Sequence, residues 1–162
     1  MGAIDDVQLS IVPAESALQF DQVRELLLEY WKSRDLALSV FNFDRELATL
    51  PGEYGPPSGR LLLASCNGEA AGCVALRQLE PEICEMKRLY IRDRFRGRGF
   101  GRSLAMAIIA EARALGYSTM RLDTIGPSMQ EAIALYRQLN FQEIAAYRNN
   151  PLEGVRFMAL KL

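Results

Sequence analysis

The stretch Tyr90-Ile91-Arg92-Asp93-Arg94-Phe95-Arg96-Gly97-Arg98-Gly99-Phe100-Gly101-Arg102-Ser103 constrains the fold more than any other. A β-compatible run ends in it, and an apolar stripe of helical period, Leu104, Ala105, Ile108, Ile109, Ala112 and Leu115, begins after it. Arginines and glycines thus alternate where a strand hands over to a helix. Unpaired backbone N–H groups, the positive end of the helix dipole and guanidinium groups converge there, which makes a site for a polyanion such as a pyrophosphate. Glycine lets the backbone approach phosphate oxygens closely. Two familiar phosphate loops do not fit. Gly99-Phe100-Gly101 lacks the third glycine of a dinucleotide fingerprint, and no Gly-Lys-Ser/Thr occurs for a nucleoside triphosphate loop.

The remaining order of elements follows from periodicity and turn chemistry. Gln8 to Val12 alternates as an edge strand before Pro13. Ser16 to Gln19 has the form of a capping box, and Phe20, Val23, Leu27 and Tyr30 predict a helix from Ala17 to Trp31. Phe41 to Leu47 reads as a second short helix, and Pro51 to Gly59 as loop. Arg60 to Ser65 and Ala71 to Leu79 pair as a hairpin about Asn67-Gly68, with Glu69-Ala70 widening its turn, and Glu82 to Ile91 extends the meander. Beyond the arginine–glycine loop and its helix, Thr119 to Asp123 is a strand reached by a helical crossover and hence parallel to its predecessor. Ser128 to Glu131 forms a second capping box before a helix carrying Ala132, Leu135, Tyr136 and Leu139. Phe141 to Tyr147 and Val155 to Leu160 are the last strands.

With 162 residues, the chain has the size of one domain spanning 1–162. Lys plus Arg number 19 against 20 for Asp plus Glu, so no global field recruits nucleic acid or an anionic membrane, and the basic cluster from Lys87 to Arg102 is local. The absence of a signal pattern and of a long apolar run points to a cytoplasmic location. There is no histidine, which excludes a histidine base and any His-containing metal site. Cys66, Cys73 and Cys84 fall on strands without metal-ligand spacing and read as reduced core thiols. No metal cofactor is expected.

Arg96, Gly99 and Gly101 match the pattern Arg/Gln-x-x-Gly-x-Gly/Ala. On that pattern, and on the order of elements over residues 8 to 161, the chain resembles the GNAT superfamily of acetyl-CoA-dependent N-acetyltransferases. The resemblance implies an α/β fold with a mostly antiparallel sheet of about seven strands, one parallel splayed pair, and helices on both faces. It also implies acetyl-CoA as cosubstrate, with its pantetheine arm pairing like an extra strand with Leu89, Tyr90 and Ile91. Arg96, Gly97, Arg98, Gly99, Phe100, Gly101, Arg102 and Ser103 would hold the pyrophosphate.

Two catalytic residues follow from the resemblance. An alkyl ammonium of pKa ~10.4 is neutral in only about one molecule in a few thousand at pH 7, so the acceptor proton must be removed before attack. Glu85, eleven residues before Arg96, stands where the family places a base. Tyr136, in a segment similar to Asn-x-x-Ala-x-x-Leu-Tyr-x-x-x-Gly-Phe, would protonate the departing thiolate. Met129 replaces the asparagine of that segment, removing a contact to the pantetheine arm, and Asn140 replaces its glycine. A cysteine acyl-enzyme on Cys84 is disfavoured because Glu85 points to the opposite face of the strand. Tyr30, Trp31, Lys87 and Tyr147 are candidate acceptor contacts. Phe41 and Phe43 are further aromatic candidates, and Arg88 and Arg148 further holders of an acceptor carboxylate. The expected partner is a small-molecule or peptide amine, with no nucleic acid or membrane, and a homodimer is allowed. Two rival readings are an acetyl-CoA-binding sensor without catalysis and a nucleic-acid-binding module built on the Arg/Gly run.

Overall fold

The computed structural model describes residues 8–125 and 130–162. Seven strands form one sheet: β1 (Leu9–Pro13), β2 (Arg60–Cys66), β3 (Glu69–Glu80), β4 (Ile83–Ile91), β5 (Thr119–Ile125), β6 (Gln142–Ile144) and β7 (Val155–Lys161). Their spatial order is β1-β2-β3-β4-β5-β7-β6, and every neighbouring pair is antiparallel except β4 with β5. The helices are α1 (Ala17–Ser33), α2 (Phe43–Ala48), α3 (Phe100–Ala114) and α4 (Gln130–Gln138). None is long and apolar enough to cross a membrane.

Strand alternation divides the core in two. Leu61 and Leu63 of β2 point towards α1 and α2, where they meet Val23, Leu27, Trp31 and Phe43. Leu62 and Ala64 point the other way, towards Leu104, Ile108 and Ala112 of α3. Because both faces are covered, β2 and β3 are continuous apolar runs rather than alternating ones.

The turn between β2 and β3 is tighter than the sequence reading. Asn67 and Gly68 both have positive φ, as a two-residue hairpin turn of type I′ needs, and Glu69 already pairs with Cys66. At the other end, β6 stops at Ile144, so Tyr147 lies in the β6–β7 connection and not on a strand. Asn140 takes the left-handed conformation expected of it, with φ 73°. The capping box at Ser128 and the substitution at Met129 lie outside the described residues.

Two irregularities position the site. In the β3–β4 ladder Ala75 pairs with Lys87 but Cys73 pairs with Tyr90, so Arg88 and Leu89 together oppose Val74. This is a β-bulge, which bends β4 and sharpens its twist. Arg88 there has φ 60°, a left-handed conformation that a non-glycine residue adopts at a cost. Secondly, β4 and β5 pair only over Ile83–Glu85 and Thr119–Arg121, although both strands continue well beyond. The edges of β4 and β5 part after Glu85 and Arg121, leaving a slot in the middle of the sheet.

Candidate active site

The loop that follows β4 is fastened to the sheet through its aromatic residues. Asp93–Phe95 makes one 3-10 turn, and Phe95 and Phe100 stack with ring centres 6.3 Å apart over buried Cys66 and Ala71. The residues between them are thereby pushed outward. Gly97 (φ 78°) and Gly99 (φ 79°) are left-handed, and a Cβ at either would meet no atom within 4 Å, so glycine is required by backbone conformation and the space above is open. Gly99 is the N-cap of α3, and Ser103 is the first residue whose N–H bonds within the helix, to the Gly99 carbonyl. The N–H groups of residues 97–102 have no partner among the described residues. The loop is therefore a nest of free donors at the positive end of a helix.

The loop arginines divide by partner. Arg92 is tied to Glu25 and Glu29 of α1 and to the Ala70 carbonyl, and Arg94 is paired with Glu69. Arg96 donates to the Ile91 carbonyl at 3.1 Å and pairs with Asp93 at 3.0 Å. Arg98 lies over the Phe95 ring, and neither it nor Arg102 has a carboxylate partner among the described residues. Of the eight predicted loop residues, Phe100 is buried and contributes only backbone, and the Ser103 hydroxyl is spent on the Gly99 carbonyl.

From the slot between β4 and β5 opens a cavity of about 590 Å³. Met86, Leu89, Leu122, Thr124 and Tyr136 line it near the slot, Tyr30, Trp31 and Phe41 line it near α1, and Asn149, Asn150 and Leu152 close it from the β6–β7 connection. Phe43 is not in the wall; it is fully buried and stacks on Trp31 at 3.8 Å. The predicted residues Tyr30, Trp31, Lys87, Leu89, Arg88, Arg148 and Tyr136 come together here. Tyr147 stands behind the wall and Tyr90 packs with Tyr30 in the core under α1.

The cavity is rich in charge. Arg88 makes a two-pronged contact to Glu46 of α2 at 2.8 and 2.9 Å, and its guanidinium lies over the Trp31 ring at 4.9 Å. Tyr54 also donates to Glu46. Burial alone would raise the Glu46 pKa, but the Arg88 bond and charge outweigh it and hold the carboxyl below its ordinary range. These contacts offset the backbone cost of the bulge at Arg88.

Glu85 has no exposed surface at all and is not the solvent-facing strand carboxylate that its position allows. It accepts hydrogen bonds from Arg77 Nε at 2.9 Å and the Tyr147 hydroxyl at 2.5 Å, with Arg148 at 3.3 Å and Lys87 Nζ at 3.6 Å. Arg148 also binds Asp123 at 2.6 Å, and Asn150 donates to the same carboxylate. Burial works to raise the Asp123 pKa, yet the Arg148 hydrogen bond and neighbouring cations bring it down. The β6–β7 connection is thus drawn across the cavity by carboxylates of β4 and β5.

Lys87 has 13 % of its side chain exposed, and the one carboxylate within ion-pair distance among the described residues, that of Glu85, is beyond hydrogen-bond distance. Burial, reinforced by the Arg88 charge, lowers its pKa to about 8. Tyr136 makes no hydrogen bond among the described residues, and burial raises its pKa, so its hydroxyl keeps a proton to give. Cys84 is buried, donates to the Thr119 carbonyl, and has its thiol pushed up to about 12 by burial, which leaves no thiolate for an acyl-enzyme.

Arg77, which also binds Glu53 at 2.9 Å, and Glu46, Asp123 and Asn150 have no signal in the sequence. Each is ordinary in its own segment, and only the folded sheet brings them to one cavity.

A strand that leaves its parallel neighbour beside a loop of free donors gives a slot with an anion-ready mouth, and Tyr136 lines the cavity at that slot. Comparisons with known proteins identify the family. The acetyltransferase (GNAT) family model matches residues 20–141, and the chain belongs to that family. A fission yeast protein described as an uncharacterized N-acetyltransferase is 37 % identical, the match covering 95 % of each chain. The N-acetylaspartate synthetase of zebrafish is 28 % identical over 78 % of this chain, which spans 46 % of that relative. An Elizabethkingia anophelis GNAT acetyltransferase structure with acetyl-CoA bound superposes with TM-score 0.64 at 21 % identity, covering 98 % of this chain and 99 % of that one.

Proposed function

We propose that this enzyme transfers an acetyl group from acetyl-CoA to the amine of a small acceptor that also carries a carboxylate. The observation that carries the reading is the set of cations facing one cavity. Lys87 has unspent donors, Arg148 is partly exposed, and Arg45 has no ion-pair partner among the described residues. An amine without a carboxylate would add positive charge to such a wall; a carboxylate beside it offsets that charge. The zebrafish relative is named for N-acetylaspartate, whose parent amine is a dicarboxylate, which supports the same acceptor class.

The residues fit the cosubstrate. Arg98, Arg102 and the free N–H groups of the loop would hold the pyrophosphate, and the unpaired edge of β4 at Leu89 to Ile91 would receive the pantetheine amides. Acetyl-CoA supplies the activated acyl group. Lys87 and Arg148 hold the acceptor carboxylate, and Arg88 shapes the wall beside them. Tyr136 gives its proton to the leaving sulfur, a step typically worth about 10²–10⁴-fold in rate for general acid catalysis. Glu85 has no exposed surface and does not line the cavity, so it takes the acceptor proton through a water relay rather than by direct contact.

A second role for Glu85 is favoured by its surroundings. With Arg77, Lys87, Arg148 and Tyr147 all turned to it, the carboxylate is a fixed counter-charge that sets the positions of the acceptor-holding cations. The Glu85→Gln variant separates the two roles. A base predicts a turnover loss of about a hundredfold at pH 7 that narrows as pH rises towards ~10, where more acceptor is already neutral. A counter-charge predicts a raised acceptor KM and lower stability, with a pH profile parallel to that of the unmodified enzyme.

The function itself is tested by thiol release from acetyl-CoA with paired acceptors, each amino acid set against its amide. Activity on the acids and little on the amides is expected. Equal rates with amines of either kind would refute the acceptor class, and no release with any amine would favour the sensor reading.

A further inference from the structure

The cavity contains a polar group that nothing in the described chain satisfies. Thr124 is 5 % exposed, and its Oγ1 has no hydrogen-bond partner. It lies on β5 three residues past Arg121, where the ladder to β4 has ended, while on its other side it remains paired with Arg156 of β7. Its position is fixed by β7, and it faces the slot together with Leu122, Leu89 and Tyr136.

Packing gives no reason for a hydroxyl at this position. Valine has nearly the same shape and strand preference and would leave no polar atom unpaired. Buried polar groups without partners are rare in folded chains, and those that persist beside a cavity have a use there. Leu122 and Leu89 offer no side-chain donor, and the Tyr136 hydroxyl is assigned to the sulfur. Thr124 Oγ1 is therefore a free side-chain donor on the β5 wall of the slot, and it can rotate to meet an acceptor. The pantetheine arm and its thioester present carbonyl oxygens along their length, whereas the side chains of Leu89 and Leu122 present no acceptor.

We propose that Thr124 donates a hydrogen bond from Oγ1 to a carbonyl oxygen of the acyl-pantetheine arm, so that β5 as well as β4 holds the cosubstrate. This inference rests on the acetyl-CoA reading above. Among the described residues the hydroxyl has no partner, and the cosubstrate supplies one.

The test uses Thr124→Val and Thr124→Ser in the full chain, with melting temperature measured without ligand and with acetyl-CoA, alongside affinity and turnover. Thr124→Val is expected to melt no lower than the unmodified protein when ligand-free, because it removes an unpaired buried group. With acetyl-CoA its stabilisation shrinks, and affinity falls by roughly five- to tenfold, the worth of one neutral hydrogen bond. Thr124→Ser retains the hydroxyl and should keep most of that affinity. A lower ligand-free melting temperature for Thr124→Val would show that the hydroxyl has a partner in the protein, and an unchanged acetyl-CoA affinity would show that it does not reach the arm; either overturns the assignment. If acetyl-CoA fails to stabilise the unmodified protein, the parent reading falls and this one with it.

Discussion

The loop after β4 and the cavity beside the slot, the two proposed anion sites, are built in opposite ways. In the loop, Arg98 and Arg102 have no carboxylate partner among the described residues, and the donors are backbone N–H groups exposed at a helix start. In the cavity, Arg77, Arg88 and Arg148 are each bound to carboxylates before any ligand arrives. A diphosphate brings enough charge to organise mobile side chains around itself. A small amino acid brings little, so its holders must already be in place, because ordering long side chains on binding costs affinity. The glycines of the loop and the carboxylates of the cavity therefore serve the same end, which is to place donors in advance.

Breaking the loop at its backbone should have the largest effect. In Gly99→Val the left-handed φ is disfavoured by about 1–2 kcal/mol and a side chain enters the open space above the helix start. Stabilisation by acetyl-CoA, which appears as a rise in melting temperature because only the native state binds it, should vanish. A full rise in this variant would place the diphosphate elsewhere.

The next contrast is in pH. Above pH 8 Lys87 loses its proton, so acceptor KM should climb about tenfold per pH unit, while acetyl-CoA affinity stays level because guanidinium groups and backbone donors keep their character. The same shift predicts a stability effect of definite sign. Between pH 8 and ~10.4 the unfolded chain holds a proton at this lysine that the folded chain has lost, so this group's contribution to stability rises with pH in that window. Lys87→Met should remove both trends. An acceptor KM that is flat from pH 7 to 10 would remove Lys87 from the acceptor site.

The smallest expected effect belongs to the exposed loop arginines. Arg98→Ala and Arg102→Ala should each weaken acetyl-CoA binding by only about 0.5–1 kcal/mol, as is typical of solvent-exposed ion pairs, and the loss should shrink further in high salt. A loss of a hundredfold in either would mean that side chains rather than backbone dominate the loop.

The two regions also differ in how far the sequence reveals them. The Arg96, Gly99 and Gly101 pattern is readable in the sequence, and at Gly99 it marks a left-handed strand-to-helix turn that is a local requirement for glycine, while the order of strands and helices follows from local periodicity. The cavity is only half legible. Glu85, Lys87, Arg88, Arg148 and Tyr136 stand out in the sequence, whereas Glu46 and Asp123 do not, since their partners lie 42 and 25 residues away, and Arg77 does not because its partner Glu85 is on the neighbouring strand of the hairpin. The bulge at Arg88 has no glycine to mark it and is held by contacts to α2, so nothing near it in sequence announces it. Thr124 is an ordinary strand threonine in the sequence, and only the structure shows its hydroxyl without a partner among the described residues.

If cosubstrate and acceptor are held by separate sets of cations, Arg148→Met disturbs one of them and leaves the other intact. For this variant and the unmodified enzyme, acetyl-CoA affinity is measured by titration, and kcat/KM is measured for an accepted amino acid and for its amide. Unchanged acetyl-CoA affinity is expected, with a fall in kcat/KM for the acid of about tenfold or more, the worth of one charge-assisted hydrogen bond, and the amide little affected. A variant that keeps its preference for the acid, or that loses acetyl-CoA affinity in step with activity, would contradict it.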